Sequence, residues 1–118
     1  MIHFSDAPPA PTQLKVLLSG EARKEHSKFI GTYTLQRSPI NGNPWWKQGL
    51  FRKKVVWFHD LGFWTFTDFE DLGKSNATPV IGGPSDVDEW PNYIPYGWRY
   101  DSKGNPHEAG NDIIVKGT

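Results

Sequence analysis

The chain contains no cysteine. Disulfide staples, thiol nucleophiles and thiolate metal sites are therefore all excluded. Net charge is also absent, because 13 Lys/Arg balance 13 Asp/Glu, which removes any global pull toward nucleic acid or an anionic membrane. No apolar run approaches the ~20 residues of a membrane-spanning helix. Met1–Thr12 lacks the basic-then-apolar order of a secretory signal, so a cytoplasmic location is the default expectation. No segment sustains a helical period over about ten residues. The four histidines, His3, His26, His59 and His107, are scattered without metal-ligand spacing. His59 and Asp60 are adjacent, but neighbours on a strand face apart. A nucleophile elbow is missing, and Gly82-Gly83 lacks the lysine and helix of a phosphate loop. The reading is a protein that is not an enzyme, with no cofactor and no metal site.

Aromatic rings are what the chain has in plenty. Of its 17 Phe, Trp and Tyr residues, 14 fall between Trp45 and Tyr100, all six tryptophans among them. A domain of 118 residues buries roughly two thirds of its unfolded surface. So many large rings are hard to hide within it, and some are expected at the surface for recognition.

Ten prolines and 12 glycines punctuate the chain into short segments. Residues 1–13, containing the stretch SDAPPAPTQ, read as a flexible proline-rich arm of polyproline character. Residues 14–118 read as a single β domain. Alternation marks strands at Leu14–Ser19, Phe29–Gln36, Lys53–Asp60, Phe63–Phe69 and Asp112–Lys116. Asn41-Gly42 and Lys103-Gly104 mark tight turns. Lys53–Asp60 is apolar on both faces and is expected to be central. The spacing predicts an all-β fold of about seven or eight short antiparallel strands, a small β-barrel or β-sandwich, with a long Gly/Pro-rich loop over residues 73–95. Pairing of the first and last strands would close a barrel and remove its edges.

Charge is unevenly spread. Leu14–Lys54 holds nine Lys/Arg against Glu21 and Glu25, a net of +7, whereas Val55–Thr118 holds four against ten Asp/Glu, a net of −6. Either basic and acidic strands neutralise each other side by side, or the surface has two electrically different faces. The acids at Asp68, Glu70, Asp71 and at Asp86, Asp88, Glu89 lack calcium-loop spacing and read as solvated turns.

Two segments combine rings with charge. Trp45, Trp46, Lys47 and Arg52 interleave aromatics with cations, as stacking on rings and contact with anions would require. Adjacent Trp45 and Trp46 must face opposite ways on a strand, leaving at most one in the core. Trp90, Tyr93, Tyr96, Trp98 and Arg99 lie in a segment stiffened by Pro91 and Pro95, which lowers the entropy lost on binding. The expected function is a non-catalytic binding module that recognises a carbohydrate or an extended peptide through the six surface aromatics among these nine positions, with Lys47, Arg52 and Arg99 orienting polar or anionic groups. The alternative is a structural or assembly subunit, in which the aromatic patches and the N-terminal arm make protein–protein contacts within an oligomer.

Overall fold

The computed structural model describes residues 8–49 and 53–118. Nine strands form one antiparallel sheet: β1 (Gln13–Leu18), β2 (Gly31–Ile40), β3 (Asn43–Gln48), β4 (Lys54–His59), β5 (Phe63–Asp68), β6 (Ile81–Gly82), β7 (Arg99–Ser102), β8 (Asn105–Glu108) and β9 (Ile113–Gly117). Their order is β8-β7-β6-β5-β4-β3-β2-β1-β9. The sheet curls into a half-barrel, with two strands more than the lower expected count and no second sheet. β4 is central, as its two apolar faces require. The stretch 73–95 is interrupted by β6 and by a 3₁₀ turn at Pro91–Tyr93.

Turn chemistry sets the register. Asn41 and Gly42 both have positive φ, 51° and 79°, as do Lys103 and Gly104, 53° and 85°. Two such residues give the turn whose twist matches that of the flanking strands. The β4–β5 pairing places Val56 opposite Phe66 and Phe58 opposite Trp64, so their rings share the concave face.

The first and last strands pair, Val16 opposite Val115, yet the sheet does not close. Its edges are β8 and β9, which follow each other in the chain, through residues 109–112, but do not pair. A short helix, α1 (Gly20–His26), bridges the gap instead. The His26 Nε2 atom is 2.6 Å from the Asp101 carbonyl oxygen, and Ser102 Oγ–H donates to Glu25 at 2.7 Å. The β8 edge is blunted. The two-residue turn makes Ser102 and Asn105 the hydrogen-bonded pair, so Pro106 stands where an N–H would otherwise point outward. Asn92 lies over the concave face of β9, where its Nδ2 would be 2.5 Å from a side chain at Gly117.

The concave face and the segments crossing it form the main core, including Leu14, Val16, Tyr33, Trp46, Phe66 and Trp98. A second, smaller core lies on the convex face, where Trp45, Val55 and Trp57 are covered by Ile40, Leu72 and Ala77.

Candidate functional site

All six tryptophans are buried; Trp45, the least so, is 7% exposed. This overturns the expectation that Trp45 or Trp46, together with Trp90 and Trp98, present rings to solvent. Trp45 and Trp46 do face opposite ways, but the sheet is covered on both sides at β3, so each enters a core of its own.

Every indole N–H has an acceptor: Trp45 uses the Ser38 carbonyl, Trp46 the Pro11 carbonyl and Trp57 the Thr67 hydroxyl, each at 2.8 Å. Trp64 donates to the Glu89 carbonyl at 2.8 Å, Trp90 to the Pro8 carbonyl at 2.6 Å and Trp98 to the Ile94 carbonyl at 3.1 Å. Five of these acceptors are backbone carbonyls of irregular segments or a bulged strand, groups that ladder hydrogen bonds leave unpaired. The tryptophans are thus tie points that hold loops to the sheet.

The other expected site residues scatter. Tyr93 and Tyr96 are exposed, at 49% and 75%. Lys47 is half-buried with its ammonium 4.8 Å from the Phe69 ring centroid. Arg99 is exposed on β7, 3.9 Å from Glu108. Arg52 lies outside the described residues. The two segments meet at one point, in the core, where the Trp46 and Trp90 rings cross at 6.3 Å and each packs on Trp64.

That meeting point holds a piece of the chain itself. Pro8–Thr12, placed in the flexible arm by the sequence, runs over Trp90 and Trp46. Its Pro8 and Pro11 carbonyls accept their two indole N–H groups. Pro11 is buried, and Thr12 is tied to Leu35 and Thr118 by backbone hydrogen bonds of 2.9 and 3.2 Å. Beside the segment lies an open trough of about 630 Å³, walled by Arg37, Pro39 and Pro44 near the β2–β3 turn. A cleft of about 250 Å³ on its other side is lined by Asp88, Glu89 and Tyr93.

A third concavity, about 240 Å³, lies on the convex face between Phe63, Pro79, Gly82, Arg99 and Pro106. It is smaller than the usual small-molecule pocket. Phe63 ends a stack of rings, 4.9 Å from His59, which in turn lies 5.3 Å from Trp57. His59 Nδ1 lies 2.9 Å from Asp60 Oδ1, closer than strand neighbours come, because Asp60 already belongs to the turn. The same nitrogen accepts the Leu61 N–H at 3.1 Å. It cannot accept that bond and donate to the carboxylate at once. Among the described residues no three His, Asp or Glu side chains gather as a metal site would need.

Sequence reasoning passed over two buried amides. Gln48 Nε2–H donates to the carbonyls of Lys28 and Ile30 at 3.0 and 2.9 Å, fastening the turn before β2. Asn43 Nδ2 donates to the Asn41 carbonyl at 3.3 Å within the β2–β3 turn. A polar residue at an inward strand position, as Gln48 is, was the available signal.

Comparison with protein-family models, with curated proteins and with solved structures finds no match for this chain.

Proposed function

We propose that the domain is a non-catalytic binding module for extended, proline-containing peptide segments, which it takes up against Trp46 and Trp90. One observation carries this reading: the two indoles donate to carbonyls of Pro8 and Pro11, three residues apart. Polyproline II has three residues per turn, so carbonyls at that spacing point the same way. A pair of indole donors beneath the segment matches that repeat, and such a ligand loses little entropy because it is already extended. The chain's own segment supplies the occupant, and a partner segment competes with it. Carbohydrate recognition by stacking on tryptophan has less support, because the flat faces of all six tryptophans are buried. Assembly through the β8 edge is likewise disfavoured, since Pro106 removes an outward N–H there.

A synthetic peptide with the sequence of residues 8–13 tests the proposal, read out by the six indole N–H signals in NMR. The tethered segment has an effective concentration in the mM range, so the wild-type chain should bind the free peptide weakly. The full-length variant Pro8→Gly/Pro9→Gly loosens the tethered copy and leaves the receiving side chains intact. It should bind the peptide at least about tenfold more tightly, with the Trp46 and Trp90 signals moving most. If mM peptide shifts neither signal in either protein, the reading is wrong.

A further inference from the structure

Four of the 13 Lys/Arg, namely Lys15, Arg37, Lys47 and Lys116, stand on strands that are neighbours in the sheet. β9, β1, β2 and β3 stand side by side, and none of them contains an Asp or Glu. Acidic and basic strands are therefore not interleaved here. On the outward face Lys15 lies directly opposite Lys116. Lys47 follows two strands away, opposite Thr34. Lys15 and Lys116 are exposed, and none of the three lysines forms an ion pair among the described residues. Like charges directly opposite on a sheet repel and destabilise it. Nothing in the packing of the outward face requires two lysines there, and an anion lying between them would turn the repulsion into attraction.

The rest of the face indicates which anion. The exposed hydroxyls of Thr32 and Thr34 lie between the lysines, offering hydrogen-bond partners to sugar hydroxyls. Trp45 is covered, and Phe69, exposed at the margin of the face, has Lys47 over its ring, so the face lacks the open run of rings on which successive unpaired bases stack. It is also a broad sheet surface without an element shaped to enter a duplex groove. Its large exposed apolar residues are Ile114 and the marginal Phe69, too little to insert into a bilayer. We infer that the outward face of β9, β1, β2 and β3 binds a linear sulfated polysaccharide, with Lys15 and Lys116 gripping sulfates and Lys47 extending the track.

Heparin oligosaccharides serve as the probe, by calorimetry on the full chain at several salt concentrations. Binding should weaken as salt rises, because the contacts are between exposed charges. The variant Lys15→Gln/Lys116→Gln should lose at least about tenfold in affinity, whereas Lys103→Gln, on the β7–β8 turn, should lose none. Unchanged indole N–H signals confirm that each variant folds. Equal heparin binding by the double variant and the wild type would overturn the proposal. So would tighter binding to DNA of matched charge, or binding only to phosphatidylserine vesicles. Because the face lies apart from Trp46 and Trp90, peptide uptake by the double variant reports on the peptide site independently.

Discussion

Replacing Trp46 by phenylalanine isolates the tie-point role of the tryptophans. The indole is fully buried, and its N–H donates to the carbonyl of buried Pro11 at 2.8 Å. Phenylalanine keeps a ring but removes the donor and part of the volume. The orphaned carbonyl costs about 1–3 kcal/mol where water cannot replace the bond. The gap left beside Trp64 and Trp90 adds about 1 kcal/mol, at ~24 cal/mol per Å³ of cavity. The sum is about 2–4 kcal/mol, which in a domain of this size lowers Tm by roughly 8–16 °C. Trp90→Phe is the internal control. Its acceptor belongs to Pro8, which is exposed, so water can take over and the loss should be nearer 1 kcal/mol. Urea unfolding followed by far-ultraviolet circular dichroism measures both. A Trp46→Phe cost below about 1 kcal/mol, or one no larger than that of Trp90→Phe, would refute the claim that the bond to Pro11 is a buried tie.

Three further outcomes follow from the same reasoning. Gln48→Met removes the donor to the Lys28 and Ile30 carbonyls and should destabilise by about 1–3 kcal/mol in denaturant titration. Gly20→Ala should cost about 2 kcal/mol, since Gly20 has φ +56° and a methyl there would lie 2.4 Å from Asp112 Oδ2. Adding Asp112→Ala should recover the clash but not the backbone strain, which a double-mutant cycle separates. Burial, then Glu25, Glu21 and Asp112, hold the Tyr100 phenol above its ordinary 10.0. The neutral phenol is the favoured form in the fold, so its contribution is complete below pH 10.0 and fades as pH rises through the higher folded value. Tyr100 should therefore ionise above the ordinary tyrosine range in an ultraviolet titration, and stability should fall in alkali; the Tyr100→Phe variant should lose part of that fall.

The turns and the central hairpin were legible because their chemistry is local. Asn41-Gly42 needs no partner to favour positive φ, and alternation in Lys54–Asp68 identifies two paired strands whatever lies around them. The candidate site was harder to read. Aromatic clustering drew attention to two segments that meet in the core, at Trp46 and Trp90. The exposure inferred for their rings was wrong, because an alternating pattern states which residues share a face and not whether that face is covered. Gln48 gave only the weak signal of a polar residue at an inward strand position, and Pro11, which caps the Trp46 indole, carries no local signal at all.

Composition and periodicity by themselves determined an all-β, cysteine-free chain with tight turns at two Gly-containing dipeptides and with positive charge gathered toward its first half. Those properties arise from single residues or neighbours, which constrain one another through covalent geometry. Only the tertiary structure decided that β1 inserts between β2 and β9, which assembles four carboxylate-free strands into one face. It alone decided that a second core covers Trp45, and that Pro8 and Pro11 find their indoles 82 and 35 residues away. Such outcomes depend on which surfaces meet when the sheet curls, and contacts between distant residues leave no periodic trace along the chain.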